Sequence, residues 1–331
     1  MNFVLSRRAA LLAPAAGLLA TAPAARAQPG PEPFPTRPIR FVVPFAPGGP
    51  IDLIGRPLAQ HLAAPLGVPV VVENRAGANG IVGAGAVARE RPDGYTFLLA
   101  TGSFTANAAL NAHLPFDPER DFRPVTQVAG AVGMVLLARA TLPTRSAAEL
   151  VALARARPGQ LTYAMAGVGN ITHVAAELFR QEAGIDLLPV PFNGTSANLT
   201  ELIAGNVDMT FAALSAALPL LQDSRVRALA YTAPARAAAM PDVPTVVELG
   251  YPGAEVTGWY GLWAPANTPE DRVTRVQQAV AEALKAAPMQ RLLNDSGLLP
   301  IASLPADFAR FLARDFALQR SLVERLNLPV Q

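Results

Sequence analysis

The chain has 331 residues, of which 51% are hydrophobic and 16% are charged, and its formal net charge is +2. It contains no cysteine, which excludes a disulfide framework and a thiolate metal site. Its basic residues are not clustered, which argues against nucleic-acid binding. The length is sufficient for about two domains with large apolar cores.

Residues 1–27 are predicted to be a signal peptide. Arg7 and Arg8 precede a short apolar stretch rich in Ala and Leu, and Ala25-Arg26-Ala27 supplies the small-x-small pattern of a signal-peptidase site. We therefore expect cleavage after Ala27 and a periplasmic location, with the general and twin-arginine export routes both open. The alternative is a frayed N-terminal helix.

Residues 28–38 contain five prolines and are predicted to be a flexible leader. Beyond them, short apolar runs alternate with helical stretches. The predicted strands are 39–45, 68–72, 95–100, 133–138, 161–165, 187–192, 207–211, 226–232 and 259–265. The predicted helices are 51–66, a helix ending near 89, 146–156, 172–183, 196–204, 215–222, 272–286 and 306–326.

This alternation predicts an α/β fold of parallel βαβ units, with two doubly wound sheets in two lobes. The helical tail is expected to return to the first lobe, so that the chain crosses twice between lobes. The predicted first lobe is 39–127 plus 256–331, and the predicted second lobe is 128–255.

Ligands of open parallel sheets bind beyond the carboxyl ends of the strands, where helices begin. At the first such junction, Gly48 and Gly49 allow the backbone to approach a ligand, and Pro50 suits a helix start. The junction is therefore predicted to bind an anion through backbone N–H groups, without a basic side chain. Asp52 either caps this helix and pairs with Arg56 or accepts a hydrogen bond from the ligand.

Three further strand ends carry small, hydroxylic or amide residues at helix starts, and each could also be an ordinary cap. Together they predict a polar cleft shared by the two lobes. The candidate ligand-binding residues at the four junctions are Phe45, Ala46, Gly48, Gly49, Asp52, Thr101, Ser103, Gly169, Asn170, Thr172, Phe192, Asn193 and Thr195.

A series of short motifs along the chain resembles the Bug-type solute receptors, the periplasmic component of tripartite tricarboxylate transporters. The motifs are Pro38-Ile39-Arg40, residues 43–49 with Asp52, Val72-Glu73-Asn74-Arg75 with Gly77 and Gly80, Pro92-Asp93-Gly94-Tyr95, Leu114-Pro115-Phe116-Asp117 with Asp121-Phe122, and Pro241-Asp242-Val243-Pro244-Thr245.

This resemblance implies a two-lobed periplasmic binding protein of the Venus-flytrap type. It implies a monomer that holds a small carboxylate, or a related amide, in the cleft between the lobes. Backbone N–H groups, small polar side chains and waters of the loops 45–52, 101–103, 167–172 and 192–195 would bind the ligand. The implied partners are two membrane transporter subunits, one large and one small.

Two positions depart from the family pattern and bear on the ligand. Members often carry a polar residue directly after the phenylalanine of the fifth strand, whereas Phe211 is followed here by Ala212, a further candidate ligand-binding position. Many also have a basic residue where Asn193 stands. A monocarboxylate, an aromatic acid or an amide-like ligand is therefore expected rather than a dicarboxylic amino acid.

Other readings of the sequence are weaker. An exported α/β enzyme would need an acid–base or nucleophile constellation, and Asp52 is the one carboxylate expected in the cleft. The pattern at 83–88 resembles a dinucleotide motif but falls inside a helix, where its glycines would permit close packing. Trp259 and Tyr260 either pack at the crossing strand or flank the cleft. We predict no catalytic residue, metal or cofactor. The sequence does not distinguish a receptor that supplies a transporter from one that signals to a membrane sensor.

Overall fold

The computed structural model describes residues 33–222, 224–326, 328 and 330. The predicted signal peptide, and the part of the leader before residue 33, lie outside the described residues. The strands are β1 (Ile39–Val43), β2 (Val70–Asn74), β3 (Thr96–Thr101), β4 (Phe122–Arg139), β5 (Thr162–Met165), β6 (Leu188–Pro191), β7 (Met209–Ala213), β8 (Val226–Tyr231), β9 (Thr257–Pro265) and β10 (Leu299–Pro300). The α-helices are α1 (Pro50–Leu66), α2 (Ile81–Ala88), α3 (Ser103–Leu110), α4 (Ala147–Ala156), α5 (Ile171–Ala183), α6 (Thr195–Ala204), α7 (Leu214–Gln222), α8 (Glu270–Ala283), α9 (Ala287–Asp295) and α10 (Pro305–Arg325).

The first lobe is built on the strand order β2-β1-β3-β9-β4, with β10 on the far side of β4. Strands β1, β2 and β3 are parallel, while β9 and β10 run antiparallel to their neighbours. Strand β1 reads Ile-Arg-Phe-Val-Val and is buried on both faces, as expected of a central parallel strand between helices. The carboxyl ends of β1 and β3 therefore meet at one edge of the sheet.

Helices cover both faces of this sheet. Phe41 packs in a core with residues of α1 and α8, whereas its neighbour Val42 packs with residues of α2, α3 and α10. This division follows from the alternation of side chains along a strand. The predicted α/β class with a doubly wound sheet is confirmed.

The second lobe repeats the arrangement with β4-β7-β5-β6, and β8 also pairs with β4. Here Leu136 and Leu137 face opposite cores, one containing residues of α4 and α5 and the other residues of α6 and α7. Strands β5, β6 and β7 are parallel, so their carboxyl ends also lie at one edge.

Strand β4 belongs to both lobes. Its first part pairs with β9 and β10, and its last part, from Met134, pairs with β7 and β8. The chain returns to the first lobe at β9, which gives the second crossing. Near its end α10 also contacts the second lobe, because Leu322 and Leu326 pack against the core of α4 and α5. The lobe limits at residues 127/128 and 255/256 stay a prediction.

Three elements differ from the sequence-based prediction. The first half of β4 was not predicted, because Pro124 and Gly130 interrupt its apolar pattern. The structure accommodates them with register shifts against β9. Helix α9 and the two-residue strand β10 were also missed. None of the helices in the described part of the chain has the length and apolar content needed to span a membrane.

The glycines of α2 allow this helix to pack closely, as the sequence suggested. A Cβ at Gly83 would lie 2.7 Å from the Cβ of Pro44 and 2.8 Å from the carbonyl oxygen of Arg75. We expect Gly83→Ala to destabilise the protein by about 1 to 3 kcal/mol in urea unfolding, because these backbone-bound atoms have little room to move.

Gly85 provides a matched control in the same helix. A Cβ there would meet its nearest atom, Cδ1 of Phe116, at 3.4 Å, which is an ordinary contact. Gly85→Ala should be neutral or stabilising by up to about 1 kcal/mol, since Ala is the better helix former. Equal effects of the two substitutions would contradict the packing role of Gly83.

Candidate functional site

The edges where strands of the two lobes end face each other across a cleft. One chamber of this cleft has an empty volume of about 730 Å³, including the open solvent at its mouth. It is lined by residues of both lobes: Phe45, Ala46, Gly49, Pro50, Ile51, Thr101, Gly102, Gly258, Trp259 and Tyr260 from the first, and Met134, Ala166, Asn170, Ile171, Asn193, Gly194, Thr195, Ser196 and Ala213 from the second.

The N-termini of four helices border this chamber. Gly49 begins α1, Gly102 begins α3, Asn170 begins α5 and Gly194 begins α6. The first N–H groups of a helix have no partner within it, and the helix dipole places partial positive charge there. The arrangement can therefore bind an anion from both lobes at once.

The described lining contains no charged side chain and no histidine. Among the described residues that line this chamber and a second chamber beside it, none is Asp, Glu, His, Lys or Arg. The side chains of Asn193, Thr195 and Ser196 have no hydrogen-bond partner within the described part of the protein and are open to the cleft. They are available to a ligand or to water.

Asp52 shapes the first loop and does not line the cleft. Its carboxylate is almost fully buried, and it accepts hydrogen bonds at 2.9 Å from the Gly48 N–H, from Arg56 Nε and from Asn74 Nδ2. Burial alone raises the pKa of Asp52, but the bonds from Arg56, Gly48 and Asn74 outweigh it and hold the pKa below its ordinary value. These contacts favour the capping interpretation of Asp52.

Asn74 extends the same network to the cleft. Its Nδ2 also donates to the carbonyl oxygen of Phe45 at 3.1 Å, and its Oδ1 accepts from Arg56 Nη2 at 2.6 Å. Phe45 lines the chamber, whereas Gly48 lies on the outer side of the loop. The network thus fixes the loop between β1 and α1 from the side that faces away from the chamber.

The other candidate residues divide between the lining and its supports. Thr101 lines the chamber, and its hydroxyl is 2.9 Å from that of buried Ser103. Asn170 also lines it, and its Oδ1 caps α5 by accepting from the Thr172 N–H at 3.1 Å. Thr172 is fully buried and accepts from the Ala166 N–H, so it supports the loop without reaching the cleft.

A second chamber, with an empty volume of about 1050 Å³, adjoins the first and shares Phe45, Ala46 and Asn193 with it. Phe192 lines this chamber. At its edge Asn79 of the first lobe donates to the Val168 carbonyl at 3.2 Å and accepts from Asn170 Nδ2 at 3.1 Å. These bonds join the two lobes directly.

Two candidates lie elsewhere. The side chain of Ala212 is fully buried in the core of α6 and α7, and its neighbour Ala213 lines the cleft instead, because successive strand residues face opposite sides. The argument against an amino-acid ligand from Ala212 therefore loses its basis, while that from Asn193 remains. Gly169 borders a different cavity, beside Leu322 and Asp315.

Sequence reasoning missed most of the apolar lining. Met134 and Ile171 contribute to it, and both Trp259 and Tyr260 line the chamber while being only 5% exposed. Both residues therefore pack in the core and line the cleft, so the two interpretations of this pair are compatible. The ring of Phe311 in α10 packs edge-on against the Trp259 ring and helps to hold it in place. The sequence feature that pointed to Trp259 and Tyr260 was their place in β9, the strand at which the chain returns to the first lobe.

A cleft between two α/β lobes that is bordered by helix N-termini from both is the arrangement typical of solute-binding receptors. The model of the tripartite tricarboxylate transporter family receptor, TctC, matches residues 54–328. The chain belongs to this family, and the resemblance to Bug-type receptors is confirmed.

Solved structures of similar proteins support the same assignment. The periplasmic binding protein BugD is 30% identical, with a TM-score of 0.85 over 89% of this chain and 99% of its own. R. palustris Rpa4515, solved with adipate, is 33% identical, with a TM-score of 0.86 over 89% and 99%. MatC from Rhodopseudomonas palustris, solved with bound malate, is 34% identical, with a TM-score of 0.82 over 88% and 100%. The predicted two-lobed fold is confirmed.

Proposed function

We propose that this protein is an extracytoplasmic receptor that captures a small organic acid between its lobes and delivers it to a membrane transporter. The observation that carries the proposal is the meeting of four helix N-termini at a cleft whose described lining has no charged side chain. Such groups are oriented before the ligand arrives, and they favour a carboxylate over a cation.

The lining favours an acid with an apolar or aromatic body. Phe45, Met134, Ile171 and Trp259 supply apolar surface beside the helix starts. Asn193, exposed at the cleft, offers an amide and no positive charge. A monocarboxylate or aromatic acid meets this combination best, and the adipate and malate of the related proteins are natural first probes.

Binding rather than catalysis is the role that the cleft supports. Its described lining offers hydroxyl groups but no histidine or carboxylate to activate them as nucleophiles. We propose a monomeric receptor in the periplasm, after cleavage of the signal peptide following Ala27, that delivers the ligand to one large and one small membrane subunit. Its lobes would be 39–127 plus 256–331 and 128–255. Signalling to a membrane sensor is the alternative use of the ligand-bound receptor.

A thermal-shift screen of matched acids and amides tests the ligand class. The panel would pair benzoate with benzamide and adipate with adipamide, and would add malate and amino acids. A true ligand at about 100 times its Kd should add about 2.7 kcal/mol to the unfolding free energy. We expect an acid to raise the melting temperature more than its uncharged amide, because the helix N-termini bind the negative charge.

Two outcomes would redirect the proposal. Stabilisation by an amide but not by its acid would contradict anion binding at the helix starts. No response to any acid in a broad panel would contradict the organic-acid receptor itself. A pull-down from membranes, with the ligand-loaded protein as bait, then shows whether the partner is a transporter or a sensor.

A further inference from the structure

Tyr260 lies where the first-lobe sheet forms the floor of the cleft. Its backbone is paired on both sides, with Thr101 of β3 and with Ala129 of β4, so the residue is held in place. Thr101 also lines the cleft, and directly opposed residues of neighbouring strands present their side chains on one face. The Tyr260 ring packs in the first-lobe core.

The Tyr260 hydroxyl is unpaired, in contrast to those of Tyr163 and Tyr95. The Tyr163 hydroxyl donates to Glu177 at 2.6 Å, and the Tyr95 hydroxyl accepts from the Thr36 N–H at 3.0 Å. Within the described part of the chain, Tyr260 makes no such bond. Buried tyrosine hydroxyls normally have a partner.

The unpaired hydroxyl opens into the cleft. Among the described residues, one side-chain oxygen has neither a hydrogen-bond partner nor contact with solvent, and it is the Thr144 hydroxyl. The Tyr260 hydroxyl is not sealed in this way, and the accessible space that its side chain borders is the ligand chamber. Burial raises the pKa of Tyr260 well above its usual range, so the group keeps its proton and remains a donor.

We infer that the Tyr260 hydroxyl donates a hydrogen bond to an oxygen of the bound acid and so takes part in selecting the ligand. The inference rests on the proposed function and adds a side-chain donor at the floor to the backbone donors at the helix starts. It also favours a ligand that places a carboxylate, carbonyl or hydroxyl oxygen there over one that places a methyl group.

Tyr260→Phe removes this single oxygen, and Tyr163→Phe is the matched control. Both variants and the wild-type protein would be compared by thermal unfolding without ligand and by calorimetric titration with adipate, malate and benzoate. We expect Tyr260→Phe to keep the ligand-free unfolding temperature and to lose about ten- to a hundredfold in affinity for the acid that the wild type binds. Tyr163→Phe should unfold at a lower temperature and keep its affinity.

Unchanged affinity in Tyr260→Phe would overturn the inference. So would a ligand-free loss of stability equal to that of Tyr163→Phe, because the hydroxyl would then have a structural partner. If no acid of the broad thermal-shift panel binds the wild-type protein, the proposed function is contradicted, and the ligand-free comparison still decides the state of the hydroxyl. An unchanged unfolding temperature of Tyr260→Phe supports an unpaired Tyr260 hydroxyl, and a lowered unfolding temperature contradicts it.

Discussion

Gly49→Val is expected to abolish ligand-induced stabilisation while leaving a folded protein. Gly49 has φ of −73° and ψ of 165°, which Val also adopts, and a Cβ there would first meet the Ala46 carbonyl oxygen at 3.4 Å. The added methyl groups would stand at the start of α1, beside the chamber, and keep the carboxylate from the N–H groups. The gain of about 2.7 kcal/mol at about 100 times Kd should disappear from ligand titrations followed by thermal shift.

Ala286→Val is the control for this substitution. Ala286 also precedes a helix, α9, in extended backbone, with φ of −62° and ψ of 134°, and it is not among the residues that line the cleft. Gly49→Val should lose at most about 1 kcal/mol of intrinsic stability, because Val is a poorer helix cap than Gly, and Ala286→Val should lose less, because Ala and Val are similarly poor caps. Full ligand response in Gly49→Val would show that this loop does not hold the acid.

Asp52→Ala should lower the unfolding free energy at neutral pH by about 2 to 3 kcal/mol, measured by urea unfolding. The substitution removes three hydrogen bonds, including one to the positively charged Arg56. Because the same network holds the loop that carries Gly49, affinity for the acid should fall as well. A direct ligand contact would instead reduce affinity and leave stability intact.

The pH dependence has a definite sign. The pKa of Asp52 is lowered in the folded protein, so its contribution is present above the ordinary carboxyl pKa of about 3.9 and is lost as the pH falls through the lowered value. The difference between wild type and Asp52→Ala should therefore shrink in acid.

Asp307→Ala is a suitable comparison. Asp307 also lies in the first turn of a helix and pairs with an arginine, Arg310, but both side chains are exposed. Its loss should cost less than about 1 kcal/mol, as is usual for surface pairs. A similar cost for the two aspartates would contradict the importance of burial at Asp52.

The local signals of the sequence predicted most of the fold. Helices α1, α5 and α6 begin within a residue of their predicted starts, because Pro50 and the Gly- or Asn-containing junctions mark them clearly. Strand β4 was half missed, since its pairing with β9 stabilises it despite Pro124. That pairing depends on residues far away in the chain, which local patterns do not report.

The candidate site was predicted in its loops rather than in all its side chains. Glycine-rich helix starts identified Gly49, Asn170 and the 193–195 segment, all of which line the cleft. The choice between Ala212 and Ala213 depends on which face of β7 meets the lobe core, and two adjacent alanines carry no pattern to decide it. The contribution of Tyr260 likewise depends on where β9 inserts in the sheet.

The insertion of β9 between β3 and β4 also constrains the order of folding. Leu98 pairs with Trp263, so the first-lobe sheet cannot be completed until the chain beyond the second lobe is available. The second lobe uses strands from one continuous stretch, β4 to β8, and can form earlier. Contacts between such distant residues slow folding, so during synthesis β3 keeps an unpaired edge until residues near the end of the chain emerge.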